Sequence, residues 1–199
     1  MLNQLDQYYV MSPKKHGYGA LTFTPNLPEY FDTTRPSPPP AGVNISLDIT
    51  TPSIRKFDAD FLKPNAGCVF SQKIKDIFDE SPDVIFYPLN VSLRSGPISG
   101  EYFFCHIVNK LDCFDYEKSN CASGSGEKIT NIKKQIYVES VSNIVINLDK
   151  RYDIFVADNS PFSRNPIFHE RFLENLLKTN PKGIDFVKLS EYEWSLSSS

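Results

Sequence analysis

The residues of this chain best suited to chemistry are four cysteines, three histidines and a run of carboxylates in its middle third. Thiolate or imidazole ligation of zinc requires clustered ligands at short spacing. Cys105, Cys113 and Cys121 follow one another without a C-x-x-C pair, Cys68 stands apart, and His106 on a strand would face away from Cys105. A nucleophilic Cys or Ser needs a base within hydrogen-bond reach, and only His16, His106 and His169 could serve. His16 lies in a Gly-rich turn. The sequence places His169 in the first turn of a helix, where the positive end of the dipole disfavours imidazolium. Asp112 and Asp115 have the spacing of an acid–base pair but no apolar surroundings that would raise a carboxyl pKa. The SGSG run at Ser123–Gly126 lacks the strand before and helix after that make a phosphate cradle. No catalytic residue, cofactor site or metal ligand is therefore expected, which favours a binding protein over an enzyme.

Charge distribution points the same way. The net charge of −3 over 199 residues falls entirely in residues 67–120, while the stretches on either side are neutral. Asp76, Asp79, Glu80, Asp83, Glu101, Asp112, Asp115 and Glu117 supply the acid. Such a face could steer a basic partner toward it, and the plainer alternative is a solvated surface of the kind charged residues form on most domains. There is no basic stripe interleaved with aromatics, so no direct nucleic-acid partner is expected. The opening MLNQLDQYYVMSPKKHG has no apolar core behind a basic start, and no stretch approaches transmembrane length. The expected compartment is the cytoplasm, without membrane association, and the cysteines are expected as free, buried thiols.

The elements that must position these residues follow from pattern. Hydrophobic content of 40% with 13% aromatics suits a folded, sheet-rich chain. Residues 1–66 read as an extended, Pro-rich N-terminal segment packed on the remainder, residues 67–199, within one structural domain. Tyr8–Val10 and Leu21–Phe23 could be short strands, Pro25–Pro40 an irregular or polyproline II arm, and Val43–Thr50 the clearest period-2 strand. A unit then occurs twice, at Val69–Leu89 and Ile167–Leu189: a hydrophobic residue, an amphipathic helix of about three turns, a polar break, and a β-prone run. Phe70 aligns with Phe168, Ile74 with Phe172 and Phe78 with Leu176. Ser71 fits the N-cap of the first helix, which runs to about Glu80. The spacing predicts a strand over Val84–Val91, in which Pro88 asks for an edge or bulge, a turn over Arg94–Gly100, and an antiparallel return over Glu101–Val108. Further strands are expected at Ile129–Ile132, Gln135–Val138, Ile144–Leu148 and Tyr152–Ala157, and the second helix ends near Lys178. The fold class is α+β, a mainly antiparallel sheet with two short helices and a proline-rich N-terminal arm.

From about Asp48 to Leu189 the order of these segments resembles immunity protein family 11 of bacterial polymorphic toxin systems. The resemblance rests on the helix start at Val69, Phe70, Ser71 and Ile74, the strand carrying Phe86-Tyr87-Pro88, and LDCFDYEKS at Leu111–Ser119. DIFVADN at Asp153–Asn159 and the closing KGIDFVKL complete it. It implies an antitoxin-like inhibitor that protects its producer in bacterial competition by binding a cognate protein toxin, with no cofactor and no catalytic residues. A toxin that is a nuclease with a basic cleft would suit the acidic middle third, and Asp76, Asp79, Glu80, Asp83, Asp112, Asp115 and Glu117 are the expected toxin-facing residues. The plainer alternative for Asp112 and Asp115 is that they turn the chain after a buried strand. Rival readings are a small cytosolic hydrolase or transferase with an unrecognised site, and a scaffold or self-association module in which an edge strand pairs with a second copy as a homodimer.

Overall fold

The computed structural model describes residues 4–14, 21–24, 45–49, 57–63, 68–98, 100–123 and 138–195. The Pro-rich stretch Pro25–Pro40, the predicted strand at Ile129–Ile132 and most of that at Gln135–Val138 lie outside the described residues. The described strands are β1 (Tyr8–Pro13), β2 (Leu21–Thr24), β3 (Ile45–Ile49), β4 (Phe61–Leu62), β5 (Cys68–Ser71), β6 (Val84–Leu93), β7 (Gly96–Pro97) and β8 (Tyr102–Ile107). Beyond them come β9 (Lys110–Leu111), β10 (Asn120–Ala122), β11 (Ser140–Ser142), β12 (Ile154–Ala157), β13 (Ile167–His169), β14 (Ile184–Lys188) and β15 (Trp194–Ser195). The helices are α1 (Gln72–Phe78) and α2 (Leu173–Lys178). The chain is thus α+β and mostly strand, but the strands form three sheets, and two of the sheets are mixed. Their orders are β14-β1-β13-β12-β9, β10-β11-β15 and β2-β3-β6-β8-β5-β4, with β7 paired on β6. Parallel pairing joins β3 to β6 and β9 to β12.

These elements belong to two compact units, each built from separated stretches. One comprises Ser12–Asn109 and Arg171–Asp185. In it, β5 and β6 are both antiparallel to β8, which lies between them, so α1 links two strands that run the same way across an inserted third. Strand alternation gives this sheet two apolar faces. Val69, Leu89, Val91, Tyr102 and Phe104 pack with Ile45, Leu47 and Ile49 and with Phe57, Ala59 and Leu62 from the chain before β5. On the other face Phe70 lies 5.5 Å from Phe61, 6.2 Å from Phe78 and 6.2 Å from Phe86, ring centre to ring centre. Ile74 and Phe78 of α1 and Leu176 of α2 are completely buried, and the Phe78 and Phe172 rings meet at 4.7 Å.

The repeated unit is therefore real in order but differs from the sequence expectation in its parts. Phe70 and Phe168, the hydrophobic residues that precede the helices, sit in strands β5 and β13. Both helices are only about two turns long, and the second is entered through a 3-10 turn at Glu170–Phe172. His169 accordingly ends a strand, not a helix start. Backbone pairing explains the shortening: β13 is held on β1 through His169, opposite Tyr8, so the helix forms only after the chain leaves the sheet. Ile144–Leu148 does not form a strand either; its one ladder contact is an isolated bridge from Ile146 to Phe114. Pro88 lies within β6, but among the described residues β3 pairs only from Leu89 onward, so the missing N–H falls where β6 has β8 alone as partner.

Ser71 occupies the N-cap position with an extended backbone, yet its hydroxyl does not cap α1. It donates instead to Asp60 Oδ1 at 2.8 Å. The buried Asp60 carboxylate also accepts the Lys182 N–H at 2.7 Å and pairs with Lys73 Nζ at 2.6 Å. Its main chain completes the joint, with Ser71 N–H donating to Asp60 C=O at 3.0 Å and Asp60 N–H to Lys182 C=O at 2.9 Å. One residue thereby fixes the segment before β4, the start of α1 and the turn before β14. Replacing Asp60 with Ala orphans the buried Ser71 hydroxyl and the part-buried Lys182 N–H and is expected to cost about 3 kcal/mol, whereas Lys73→Met, whose ammonium is half in solvent, costs under about 1 kcal/mol. Urea unfolding of the two variants beside the wild type measures the difference.

Candidate functional site

The segment Leu111–Ser119 is the sequence's best candidate for a specialised site, and it lies in the unit formed by Met1–Met11, Lys110–Glu170 and Phe186–Ser199. It leaves β9, which pairs in parallel with β12 through Leu111 and Ala157. Cys113, Phe114 and Tyr116 then enter the core formed with Val10, Ile144, Phe155 and Phe162. The Phe114 ring meets Tyr116 edge-on at 4.6 Å and Phe162 at 5.6 Å.

A side chain stands in for a strand at this point. Asn159 Oδ1 accepts the Phe114 N–H at 3.0 Å, and Asn159 Nδ2 donates to Phe114 C=O at 3.1 Å, a reciprocal pair like that of an antiparallel ladder. Tyr116 Oη donates to Asn159 C=O at 2.7 Å. The opposite edge of the segment is held by Asp115 N–H to Val145 C=O at 2.9 Å, Asn147 N–H to Cys113 C=O at 2.8 Å, and Val145 N–H to Ser119 Oγ at 2.9 Å. The residues 144–148 thus serve as a strap, which their alternating pattern alone does not distinguish from a strand.

Asp115 closes the turn. Its Oδ1 accepts the N–H groups of Glu117 at 3.1 Å and Lys118 at 3.0 Å. Its Oδ2 accepts Asn147 Nδ2 at 3.2 Å and pairs with Lys118 Nζ at 3.1 Å. The Lys118 main-chain N–H, followed by the Lys118 and Asn147 side chains, holds the carboxyl down at about 2. This is the turn-forming role that the plainer alternative assigned to it. Burial, meanwhile, pushes the Cys113 thiol up to about 12 and the Tyr116 phenol above its ordinary value.

The remaining acidic residues divide between the units. Asp112 and Glu117 are exposed beside Asp115. In the other unit Asp76, Asp79 and Glu80 are exposed and Asp83 is half-buried. Within that unit Asp76 accepts from Gln72 Nε2, and Asp79 pairs with Lys75 Nζ at 2.8 Å. The Lys75 ammonium also lies 5.3 Å from the centre of the Phe103 ring and 5.7 Å from that of Phe86. The cysteines are free and buried. Cys68 stands directly opposite Cys105 across β5 and β8. Burial raises the Cys68 thiol to about 12 and Cys105 well above its ordinary value, which keeps both as poor nucleophiles. His106 faces Ile85 while Cys105 faces Phe86, so the two neighbours are on opposite faces as strand alternation requires. Among the described residues no group of three or more His, Cys, Asp or Glu side chains could hold a metal ion, and no helix is long and apolar enough to cross a membrane.

Mixed sheets, a repeated strand–helix–strand order and a half-exposed turn closed by Asp115 define an α+β protein in which Asp115 and Asn159 are bound to the chain's own backbone. The pattern of the Immunity protein family (Imm11) matches residues 24–191, and the chain belongs to that family. No curated protein matches it.

Because the Asp115 carboxyl titrates at about 2 in the folded chain and near 3.9 when unfolded, its turn stabilises fully above about pH 4 and loses that contribution as the pH falls through about 2. Asp115→Asn is expected to lower the melting temperature at pH 7, with the gap to the wild type closing at about pH 2. Calorimetric melts across that range test it. Asn159→Ala, which leaves the Phe114 N–H and C=O without their partner, is expected to cost about 2 kcal/mol in chemical unfolding, several times the effect of Glu117→Ala.

Proposed function

We propose that this protein neutralises a cognate bacterial toxin by direct binding in the cytoplasm of the cell that makes both. Membership of the Imm11 immunity family is the observation that carries the reading. The site residues support it in a second way. The Tyr116 and Ser119 hydroxyls, the Asn159 amide and the Asp115 carboxylate are bound to the chain itself, and burial keeps the Cys68, Cys105 and Cys113 thiols protonated, which leaves surface residues such as Asp112 and Glu117 to meet a partner. Tight inhibition requires an anchor within a charged rim, since buried area alone does not confer affinity.

The acidic residues supply the charge for such a rim. Asp76, Asp79, Glu80 and Asp83 give one unit negative charge, and Asp112 and Glu117 give it to the other, with Asp115 contributing by shaping the turn that presents Glu117. A toxin with a basic catalytic cleft, such as a nuclease, is the partner this charge fits. Expression of the toxin encoded beside this gene, with and without this chain, is the decisive comparison. Host survival together with a co-purifying complex is the expected result. Survival without a complex replaces binding by enzymatic reversal of the damage, and death in both cases removes the immunity reading. Reversing Asp76, Asp79, Glu80 and Asp83 to Lys together is expected to weaken the complex by about 100-fold at low salt, with a smaller loss at high salt.

A further inference from the structure

Two of the buried cysteines share one rung of a ladder. Cys68 of β5 stands directly opposite Cys105 of β8, and each is only 3% exposed. Residues opposed across a sheet project from the same face, so both sulfurs lie on the face that carries Phe70 and Phe103. They are close enough to feel each other's charge, since Cys68 adds to the rise of the Cys105 thiol that burial begins.

The kind of rung follows from a contact further along. The Gln72 N–H donates to Glu101 C=O at 3.0 Å, in the same register. Hydrogen-bonded rungs recur at every second residue of an antiparallel pair, which makes Cys68 and Cys105 such a rung. Their Cα atoms are then about 5.5 Å apart, in the middle of the range a disulfide spans. Their Cβ atoms, also about 5.5 Å apart, are wider than the roughly 4 Å of a relaxed bridge. Closing the bond therefore draws the strands together and leaves it easy to reduce.

The two thiols differ in how they are reached. Cys105 lies inside β8, between β5 and β6, with Phe86 opposite it on the second side. Cys68 begins β5, and among the described residues the ladder from β4 stops at Leu62 opposite Val69. The positive charge of Lys63 acts on the Cys68 thiol against the effect of burial. Opening the last rung of β5 thus exposes a sulfur with a cation to favour its thiolate.

We propose that Cys68 and Cys105 are a reversible redox pair, joined by a peroxide into a cross-strand disulfide and parted again by a dithiol reductant. The Cys68 thiolate attacks one oxygen of hydrogen peroxide, the O–O bond breaks, and the departing hydroxide takes up the proton that Cys68 released. Cys68 is left as a sulfenic acid. The Cys105 sulfur then attacks the Cys68 sulfur, and the sulfenic oxygen leaves as water with the Cys105 proton. In sum two thiols lose two electrons and one peroxide becomes two waters. A dithiol reverses the bond by exchange and is itself oxidised. No toxin takes part, so the inference stands apart from the immunity reading.

The test treats the full-length native chain with hydrogen peroxide and then alkylates it in denaturant. Free thiols are expected to fall from four to two per chain. Digestion without reductant is expected to give one cross-linked peptide joining Cys68 to Cys105, lighter than its two parts by two hydrogen atoms. Cys113 and Cys121, buried in the other unit, are expected to remain thiols. The oxidised chain is expected to unfold in urea about 10-fold more slowly than the reduced one, and dithiothreitol under native conditions to restore all four thiols. Four thiols surviving peroxide, oxidation of Cys68 without a cross-link, a bridge between any other pair, or a bridge that dithiothreitol leaves closed each overturns the proposal.

Discussion

A carboxylate out of water must be surrounded by donors, and Asp60 is the residue around which one of the two units is arranged for that purpose. Ser71, Lys73 and Lys182 reach it from the start of α1 and from the turn before β14, and its own main chain ties to two of the same three residues. The apolar layers of the sheet could slide on one another at little cost, since hydrophobic contact has no direction. The hydrogen bonds of Asp60 do have direction, and they fix where α1 begins, which in turn seats Phe78 against Phe70.

The other unit solves a similar problem with an amide. Asn159 occupies the place of a backbone partner for Phe114, and Asp115 occupies the place of a second one for the turn that follows. A stretch rich in aromatic and polar residues is buried in this way without a long strand. The motif that looks most like a reactive site in the sequence is consequently a joint, and its specificity is directed inward.

What was readable in the residues was mostly what local pattern controls. The alternation of Ile45, Leu47 and Ile49 gave a strand with one wholly buried face, the Pro88 break lies one residue before the described pairing of β3 with β6 begins, and the hairpin from β6 to β8 followed from its turn. The repeat of Phe, Ile and Phe spacing revealed two helices, but not that each helix is preceded by a strand, because helical and strand periods coincide over the few residues concerned. Residues 144–148 misled for the same reason: alternation reports a buried face, and a strap pinned by Ser119 and Asp115 has one too. Asp60 and Asn159 carried no signal at all. Their partners lie 122 and 45 residues away, and a lone Asp or Asn in a loop is the commonest of sights.

Strand β1 lies against β13, with Tyr8 opposite His169, and Asp6 accepts a hydrogen bond from Ser190 across 184 residues. Loops of that length close slowly, and a ribosome adding residues at its usual pace needs about 10–30 s to deliver the second partner. Until then Tyr8 and Val10, which are buried in the finished fold, have no surface to cover them. Strand β1 is thus synthesised long before β13, the strand that covers it, and is placed only once that partner has left the ribosome.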